Sequence, residues 1–60
     1  MIPQDPEMLL SFMNMKLRDN YSSLEALADD MDISKEELES IKEKLEGIGY
    51  SYDPERNQFC

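Results

Sequence analysis

The sequence predicts a mainly α-helical domain in which three helices are followed by a C-terminal β-hairpin. Apolar residues recur at helical spacing in three separate segments, which indicates three amphipathic helices. Two of these segments follow a serine with a glutamate three residues later, the spacing of a helix capping box. A turn rich in Asp, Pro and Asn then separates two short segments with aromatic residues. No linker or repeat divides the chain, so we expect residues 1–60 to form a single domain.

The first helix is predicted from Pro6 to about Asp19, with Asp5 as its N-cap. Spacing its residues at about 100° produces two apolar flanks beside a narrow polar stripe. One flank consists of Leu9, Leu10, Met13 and Leu17, and the other consists of Met8, Phe12 and Met15. Because a small monomer usually buries one such stripe, we expect the second flank to contact another part of the fold or another molecule.

A short second helix is predicted after Ser22, which has capping-box spacing to Glu25. Its apolar stripe consists of Leu24, Leu27, Ala28 and Met31. Asp32 stands in the following turn, where glycine is common, and aspartate tolerates the left-handed conformation better than most residues.

A third helix is predicted after Ser34, which repeats the capping-box spacing with Glu37. Its inner stripe consists of Leu38, Ile41, Leu45 and Ile48. Gly47 and Gly49 offer left-handed positions that can end this helix.

The predicted hairpin pairs residues 50–52 with residues 58–60 across a turn at 53–57. Asn57 tolerates the positive φ that closes longer hairpin loops. Tyr50 and Tyr52 are expected to point to one face, where Phe59 can meet them across the strands. A two-stranded ribbon is marginal in water, so we expect it to pack against the helices.

This order of elements is similar to that of winged-helix domains, and residues 23–38 resemble a helix-turn-helix. Small Ala28 stands where two helices approach closely, and Ile33 and Ser34 lead into the second of them. The predicted fold is therefore a three-helix helix-turn-helix bundle with a winged-helix-like C-terminal hairpin.

Further motifs extend over nearly the whole chain. They are Ile2-Pro3, Asp5-Pro6, Met8-Leu9-Leu10-Ser11, Asn14, Lys16-Leu17-Arg18-Asp19, Gly49-Tyr50, Tyr52-Asp53 and Asn57-Gln58-Phe59. With these motifs the chain resembles a family of short bacterial proteins that is described as a domain of unknown function. The resemblance implies a bacterial, cytoplasmic protein and brings no activity, cofactor or catalytic residue with it.

The charge and composition argue against several classes of function. Fourteen acidic residues outnumber six basic ones, and the formal net charge is -8. Wholly apolar runs such as Met8 to Leu10 are far shorter than the roughly 20 residues of a membrane helix, and no signal peptide is recognisable. We therefore expect a cytoplasmic protein without a membrane partner.

The outward positions of the predicted third helix carry the wrong charge for reading DNA. They include five glutamates against three lysines. A specific DNA complex typically draws on about 6–10 phosphate contacts, whereas this chain has six basic residues that are scattered along it. We therefore expect that the isolated chain does not bind nucleic acid.

No pattern predicts catalysis, a metal site or a cofactor. Nucleophilic catalysis needs a base beside Cys60 or a serine, and the sequence has no histidine. Residues 30–34 imitate the start of a calcium loop, but Lys35 and Ile41 occupy the positions that need glycine and glutamate. We therefore expect that the protein is not an enzyme and takes no cofactor.

The candidate functional residues lie on the first helix. The apolar flank Met8, Phe12 and Met15 is a candidate contact surface, with Tyr21, Tyr50 and Phe59 as additions. Asn14, Lys16 and Arg18 have two interpretations. They form an anion or partner-contact site, or Asn14 and Arg18 face solvent or bond within the chain while Lys16 covers apolar surface.

Two functional hypotheses follow from these observations. The preferred one is a small acidic, non-catalytic interaction module that binds a protein partner or forms a homodimer through the first helix. The alternative is a transcription-associated winged-helix protein that binds nucleic acid as part of a larger assembly.

Overall fold

Three helices and a short C-terminal hairpin make up the fold, as the sequence predicts. A computed structural model describes residues 2–60. The helices are α1 (Pro6–Asp19), α2 (Leu24–Asp30) and α3 (Lys35–Glu46), and the strands are β1 (Tyr52–Asp53) and β2 (Gln58–Phe59). The two strands pair antiparallel. The prediction of a mainly α-helical fold with a C-terminal hairpin is therefore confirmed.

Side-chain caps fix the first residues of α1 and α3. The Asp5 carboxylate accepts a hydrogen bond from the backbone N–H of Met8 at 3.2 Å, and Pro6 occupies the first turn. Ser34 and Glu37 form a complete capping box, in which each side chain accepts from the other residue's backbone N–H. Both caps satisfy N–H groups that have no partner within the helix.

The predicted cap of α2 at Ser22 is wrong by one residue. Ser23 is the N-cap, and its hydroxyl accepts a hydrogen bond from the N–H of Ala26 at 3.1 Å. The helix starts one residue later than expected, so Ala26 and not Glu25 stands at the third helical position. No reciprocal bond from a glutamate is therefore made at this end.

Positive φ angles occur at two of the predicted turn residues, Asp32 (55°) and Asn57 (54°). Gly49 also has a positive φ of 90°, and its N–H bonds to the carbonyl of Glu46. The left-handed conformation predicted for Gly47 is wrong, because its φ is -62°. Gly47 completes the last turn of the helix, and Gly49 alone supplies the reversal that ends it.

The core lies against one side of α1, which contacts α2, α3 and β2. It is a single cluster of buried apolar side chains, namely Leu9, Met13, Leu17, Leu24, Leu27, Ile41, Leu45 and Phe59. Three of them form the inner flank of α1, as the helical spacing predicts. The predicted inner stripe of α3 is buried only in its middle, because Leu38 is half-buried and Ile48 is 38% exposed.

The hairpin is short, and its inner face is aromatic. Tyr52 lies opposite Phe59 in the ladder, and their ring centroids are 5.5 Å apart. Ser51 and Cys60 exchange both backbone hydrogen bonds, at 3.1 and 3.0 Å. The predicted contact of Phe59 with Tyr52 is confirmed, whereas Tyr50 lies before β1 and is 38% exposed. Phe59 inserts into the core with 2% of its surface exposed.

The amide of Asn57 fastens the hairpin turn to the helices. Its Nδ2 donates to the backbone carbonyls of Leu17 at 3.1 Å and Tyr21 at 3.0 Å. Its Oδ1 accepts from the Tyr52 hydroxyl at 2.7 Å, and that hydroxyl also accepts from the N–H of Leu24 at 3.2 Å. Asn57 thus joins the end of α1, the segment before α2 and the hairpin, and Tyr52 adds the bond to the start of α2.

We expect Asn57→Gly to lower the free energy of unfolding by about 2 kcal/mol, because the hydrogen bonds are lost while the positive φ is still tolerated. Asn57→Ala should cost about 1 kcal/mol more, because alanine is strained at that φ. Urea unfolding followed by circular dichroism measures both variants. Equal stability of Asn57→Gly and the unchanged chain would contradict the role assigned to the amide.

Candidate functional site

Two candidate residues, Met8 and Met15, lie on the outward face of α1. Met8 is 63% exposed and Met15 is 44% exposed. They are seven positions apart, so they stand two turns apart on the same side of the helix. The flank that contains Met13 is buried on the opposite side. One apolar flank of the sequence thus faces the core, and the other exposes Met8 and Met15 at the surface.

Phe12 and Lys16 lie at the edge of this outward face. Phe12 is half-buried and packs against the core. The Lys16 Nζ stands 5.7 Å from the centroid of the Phe12 ring, and Lys16 is half-buried. Such a cation–π contact contributes about 0.5–1 kcal/mol. This position corresponds to the second interpretation of Lys16, in which its stem covers apolar surface.

Asn14 bonds to the backbone of β2. Its Nδ2 donates to the carbonyl of Phe59 at 3.1 Å, and its Oδ1 accepts from the Phe59 N–H at 2.8 Å. The side chain therefore occupies the place of a neighbouring strand and satisfies backbone groups at the edge of the hairpin. Of the two interpretations given for Asn14, this position corresponds to bonding within the chain.

Arg18 is paired with its neighbour in the sequence. Its Nε and Nη2 donate to the two carboxylate oxygens of Asp19, at 2.8 and 2.9 Å. Hydrogen bonding to Arg18 holds the pKa of Asp19 below its ordinary value, and the same contact raises the pKa of Arg18. Both side chains are exposed, so the pair adds little to stability.

Arg18 and Arg56 line one shallow cleft of about 410 Å³, together with Asn14, Leu17, Asn57 and Gln58. The Nε of Arg56 lies 3.9 Å from Oδ2 of Asp53. Arg18 is likewise paired with Asp19. Each arginine thus has a carboxylate beside it, which offsets the positive charge of the cleft. Sequence reasoning missed this juxtaposition, because the two arginines are far apart in the chain and meet only when the hairpin packs on α1.

A second cleft, of about 710 Å³, lies between α2, α3 and the hairpin. Its apolar lining includes Leu24, Ala28, Leu38 and Tyr52. Its charged residues are of both signs, namely Glu25, Asp29, Lys35, Glu39 and Lys42. The sequence carries no signal for this cleft, because it arises from the separation of α2 and α3.

The three additional aromatic candidates differ in exposure. The suggestion of Phe59 as a surface residue is wrong, because its ring is inside the core. Tyr50 is 38% exposed, whereas Tyr21 is half-buried against the core. The Tyr21 hydroxyl donates to the Asp30 carboxylate, and this hydrogen bond raises the pKa of Tyr21.

The charge of the chain is concentrated outside α1. Residues 5–19 carry three acidic and two basic side chains, whereas the rest of the chain carries eleven acidic and four basic ones. Within α1, the acidic residue Glu7 lies in the first turn, and Lys16 and Arg18 lie in the last turn. A second acidic molecule therefore meets less repulsion at α1 than at α2 and α3, because residues 20–49 carry nine acidic and three basic side chains.

Two findings concern the described residues as a whole. Within residues 2–60, no helix combines the length and the apolar character needed to cross a membrane. Over the same residues, no group of three or more acidic, histidine or cysteine side chains converges as a metal site requires. The expectation that the protein takes no metal or cofactor stays a prediction.

The chain belongs to a protein family. The family model of a domain of unknown function, DUF4250, matches residues 3–59. This match confirms the resemblance to a domain of unknown function that the motifs indicate. No curated protein and no solved structure matches the chain.

We expect Asn14→Ala to lower the free energy of unfolding by about 1–3 kcal/mol, because it removes both bonds to the Phe59 backbone. Ser11→Ala is the matched control, since Ser11 is an exposed polar residue of the same helix. Its effect should stay within about 0.5 kcal/mol. Chemical unfolding of the two variants tests this expectation, and an Asn14→Ala variant as stable as Ser11→Ala would contradict it.

Proposed function

We propose that this member of the DUF4250 family is a non-catalytic interaction module that associates with a second copy of itself through the outward face of α1. We call this face, formed by Met8, Ser11, Phe12 and Met15, the methionine face. The exposure of Met8 and Met15 is the observation that carries the proposal. Methionine is flexible and polarisable, and it is common on surfaces that adapt to a partner.

The small size of the domain supports a role for this face in stability. The cost of ordering about 1.5 kcal/mol per residue nearly cancels hydrophobic burial in domains of this length. Covering the methionine face with a second chain removes further apolar surface from water. That gain is available only to the associated form, so it depends on protein concentration.

The charge distribution favours a second copy at this face over a contact through α2 or α3. Two copies of a chain with net charge -8 repel each other, and most of that charge lies outside α1. Lys16 borders the methionine face and reduces the repulsion there, whereas the charge of Arg18 is offset by Asp19. A contact through α2 or α3 would bring glutamates and aspartates together instead.

The expected dimer is weak. The methionine face is one side of a 14-residue helix, and interfaces below about 1,200 Å² are typical of transient complexes. We therefore expect association only at high protein concentration. This strength is suited to a module that exchanges partners or assembles reversibly.

Sedimentation of the unchanged chain up to about 1 mM should show a monomer–dimer equilibrium, and its melting temperature should rise with concentration. Met15→Glu should weaken association at least tenfold, because it places a charge among buried methionines. The free energy of unfolding of the Met15→Glu variant at low protein concentration should change little, since Met15 is exposed.

Ile48→Glu is the matched control for this experiment. Ile48 is an exposed apolar residue outside α1, so the same substitution there should leave association unchanged. A chain that is strictly monomeric over the whole range, with no concentration-dependent melting, would remove the proposal. Equal weakening by Ile48→Glu would show that the interface lies elsewhere.

A second candidate function is nucleic-acid binding within a larger assembly. The order of three helices followed by a hairpin supports it, because winged-helix domains share this order. The charges of α3 oppose binding of the isolated chain to nucleic acid. Its glutamates are exposed, whereas Lys42 and Lys44 are half-buried near Glu39 and Gln4.

We expect no saturable binding when the isolated chain is titrated into mixed-sequence duplex DNA at low salt. The physical reason is repulsion between the phosphates and the exposed glutamates of α3. Fluorescence anisotropy of a labelled duplex measures the binding. Tight binding that weakens steeply with added salt would overturn the electrostatic argument and favour the second candidate.

A further inference from the structure

We infer that the two α1 helices of the dimer lie antiparallel, with the two-fold axis passing between Ser11 and Phe12. This inference rests on the proposed function, because it specifies how a second copy occupies the methionine face. It is drawn from the exposed positions of α1 and the signs of its charges.

The first argument is the spacing of the exposed methionines. In an antiparallel pair, residues at equal distances on opposite sides of the axis face each other across the two chains. Met8 and Met15 are equally distant from a point between Ser11 and Phe12. Met8 of each chain therefore faces the partner's Met15, and all four exposed methionine side chains meet in two equal contacts.

The second argument is the position of the residues beside the axis. At helical spacing, Ser11 and Phe12 lie on opposite edges of the methionine face. In antiparallel helices, equivalent edges face each other. Ser11 therefore meets its own copy on one side of the axis and Phe12 meets its own copy on the other. The small exposed serine allows the helices to approach closely at their crossing point.

The third argument is the distribution of charge along the two edges. Glu7 and Arg18 lie on one edge of the face, on opposite sides of the axis, and Asp5 and Lys16 lie in the same way on the other edge. An antiparallel pair therefore brings Glu7 towards the partner's Arg18 and Asp5 towards the partner's Lys16, each with an offset of about 3 Å along the helix that these side chains can span. Antiparallel helices also place opposite ends of their dipoles side by side.

The parallel arrangement fails on the same charges. In a parallel pair, one edge of the methionine face would contact the opposite edge of the partner's face, with equivalent residues at the same height along the helices. Glu7 would then approach the partner's Asp5, and Arg18 would approach the partner's Lys16. Like charges would meet at both ends of the contact, which is unfavourable even at an exposed interface.

The existing bonds of these side chains leave them free to make the proposed pairs. Asp5 uses one carboxylate oxygen to cap the helix, and the other oxygen is available. Arg18 uses Nε and Nη2 towards Asp19, and a guanidinium has five N–H donors. Asp19, the remaining charged residue of α1, follows Met15 by one turn on the methionine face, and its carboxylate is already paired with Arg18.

Cysteine cross-linking tests the orientation. Cys60 is exposed and free, so Cys60→Ser is introduced first. Met8→Cys and Met15→Cys are then made in separate chains, which are oxidised mildly either alone or as an equal mixture. A disulfide requires Cα atoms about 4.4–6.8 Å apart. In the antiparallel dimer, Met8 is displaced from its own copy by about 10 Å along the helix, so it cannot pair with that copy.

The expected result is a disulfide between Met8→Cys and Met15→Cys chains that exceeds either self-disulfide at least fivefold. Ser11→Cys lies beside the axis and serves as the positive control, because it should cross-link to itself. Non-reducing electrophoresis and mass spectrometry identify each species. Dominant self-disulfides of Met8→Cys would overturn the antiparallel arrangement and leave self-association intact.

Sedimentation of the unchanged chain distinguishes failure of the antiparallel orientation from failure of the proposed self-association. A dimer in sedimentation with dominant self-disulfides refutes only the orientation. A strict monomer, with no cross-link even for Ser11→Cys, refutes the proposed function and the orientation together.

A charge exchange provides a second measurement that does not depend on cysteine chemistry. Glu7→Arg and Arg18→Glu should each weaken dimerisation about threefold or more, because each turns an attraction into a repulsion. The double variant should restore the association of the unchanged chain. Additive weakening in the double variant would overturn the pairing of Glu7 with the partner's Arg18.

Discussion

Two asparagine side chains attach the hairpin to the helices, and the rest of the fold depends on this attachment. A ribbon of two-residue strands has too few hydrogen bonds to be stable in water. Asn14 satisfies the backbone of β2, and Asn57 bonds to the last turn of α1 and to the chain before α2. These amides hold Phe59 in the core, where it closes the cluster of leucines. The hairpin is therefore an integral part of the core.

The attachment also determines which side of α1 is left for other molecules. The inner face of the helix is occupied by the core, and the polar edge at Asn14 is occupied by the hairpin. The methionine face remains uncovered, and it borders the lysine and the arginine of the helix. The proposed self-contact uses this apolar surface, which lies on a part of the chain with less negative charge than α2 and α3.

Much of the fold is predictable from local signals in the sequence. Asp5 and Ser34 indicate where helices start, and Asp32 and Asn57 indicate turns with positive φ. These features are predictable because capping and backbone preference act within a few residues. The sequence predicts the start of α2 one residue too early, because two serines precede the helix and only the second caps it. The Leu24 N–H is bonded by Tyr52, which is distant in sequence. The candidate surface at Met8 and Met15 follows from helical spacing. The bonds of Asn14 and the two clefts could not be predicted, because they join segments that are distant in sequence.

The bonds between the hairpin and α1 also constrain the order of events in folding. Asn14 and Asn57 reach partners 36 to 45 positions away, so they form only after a long loop has closed. Local helix formation is fast. Closing such a loop is slower, because the chain loses conformational entropy before the stabilising contacts form. We therefore expect docking of the hairpin to be a late step of folding and its release to be an early step of unfolding. We then expect the lifetime of the native state to depend on how firmly the last nine residues of the chain are held.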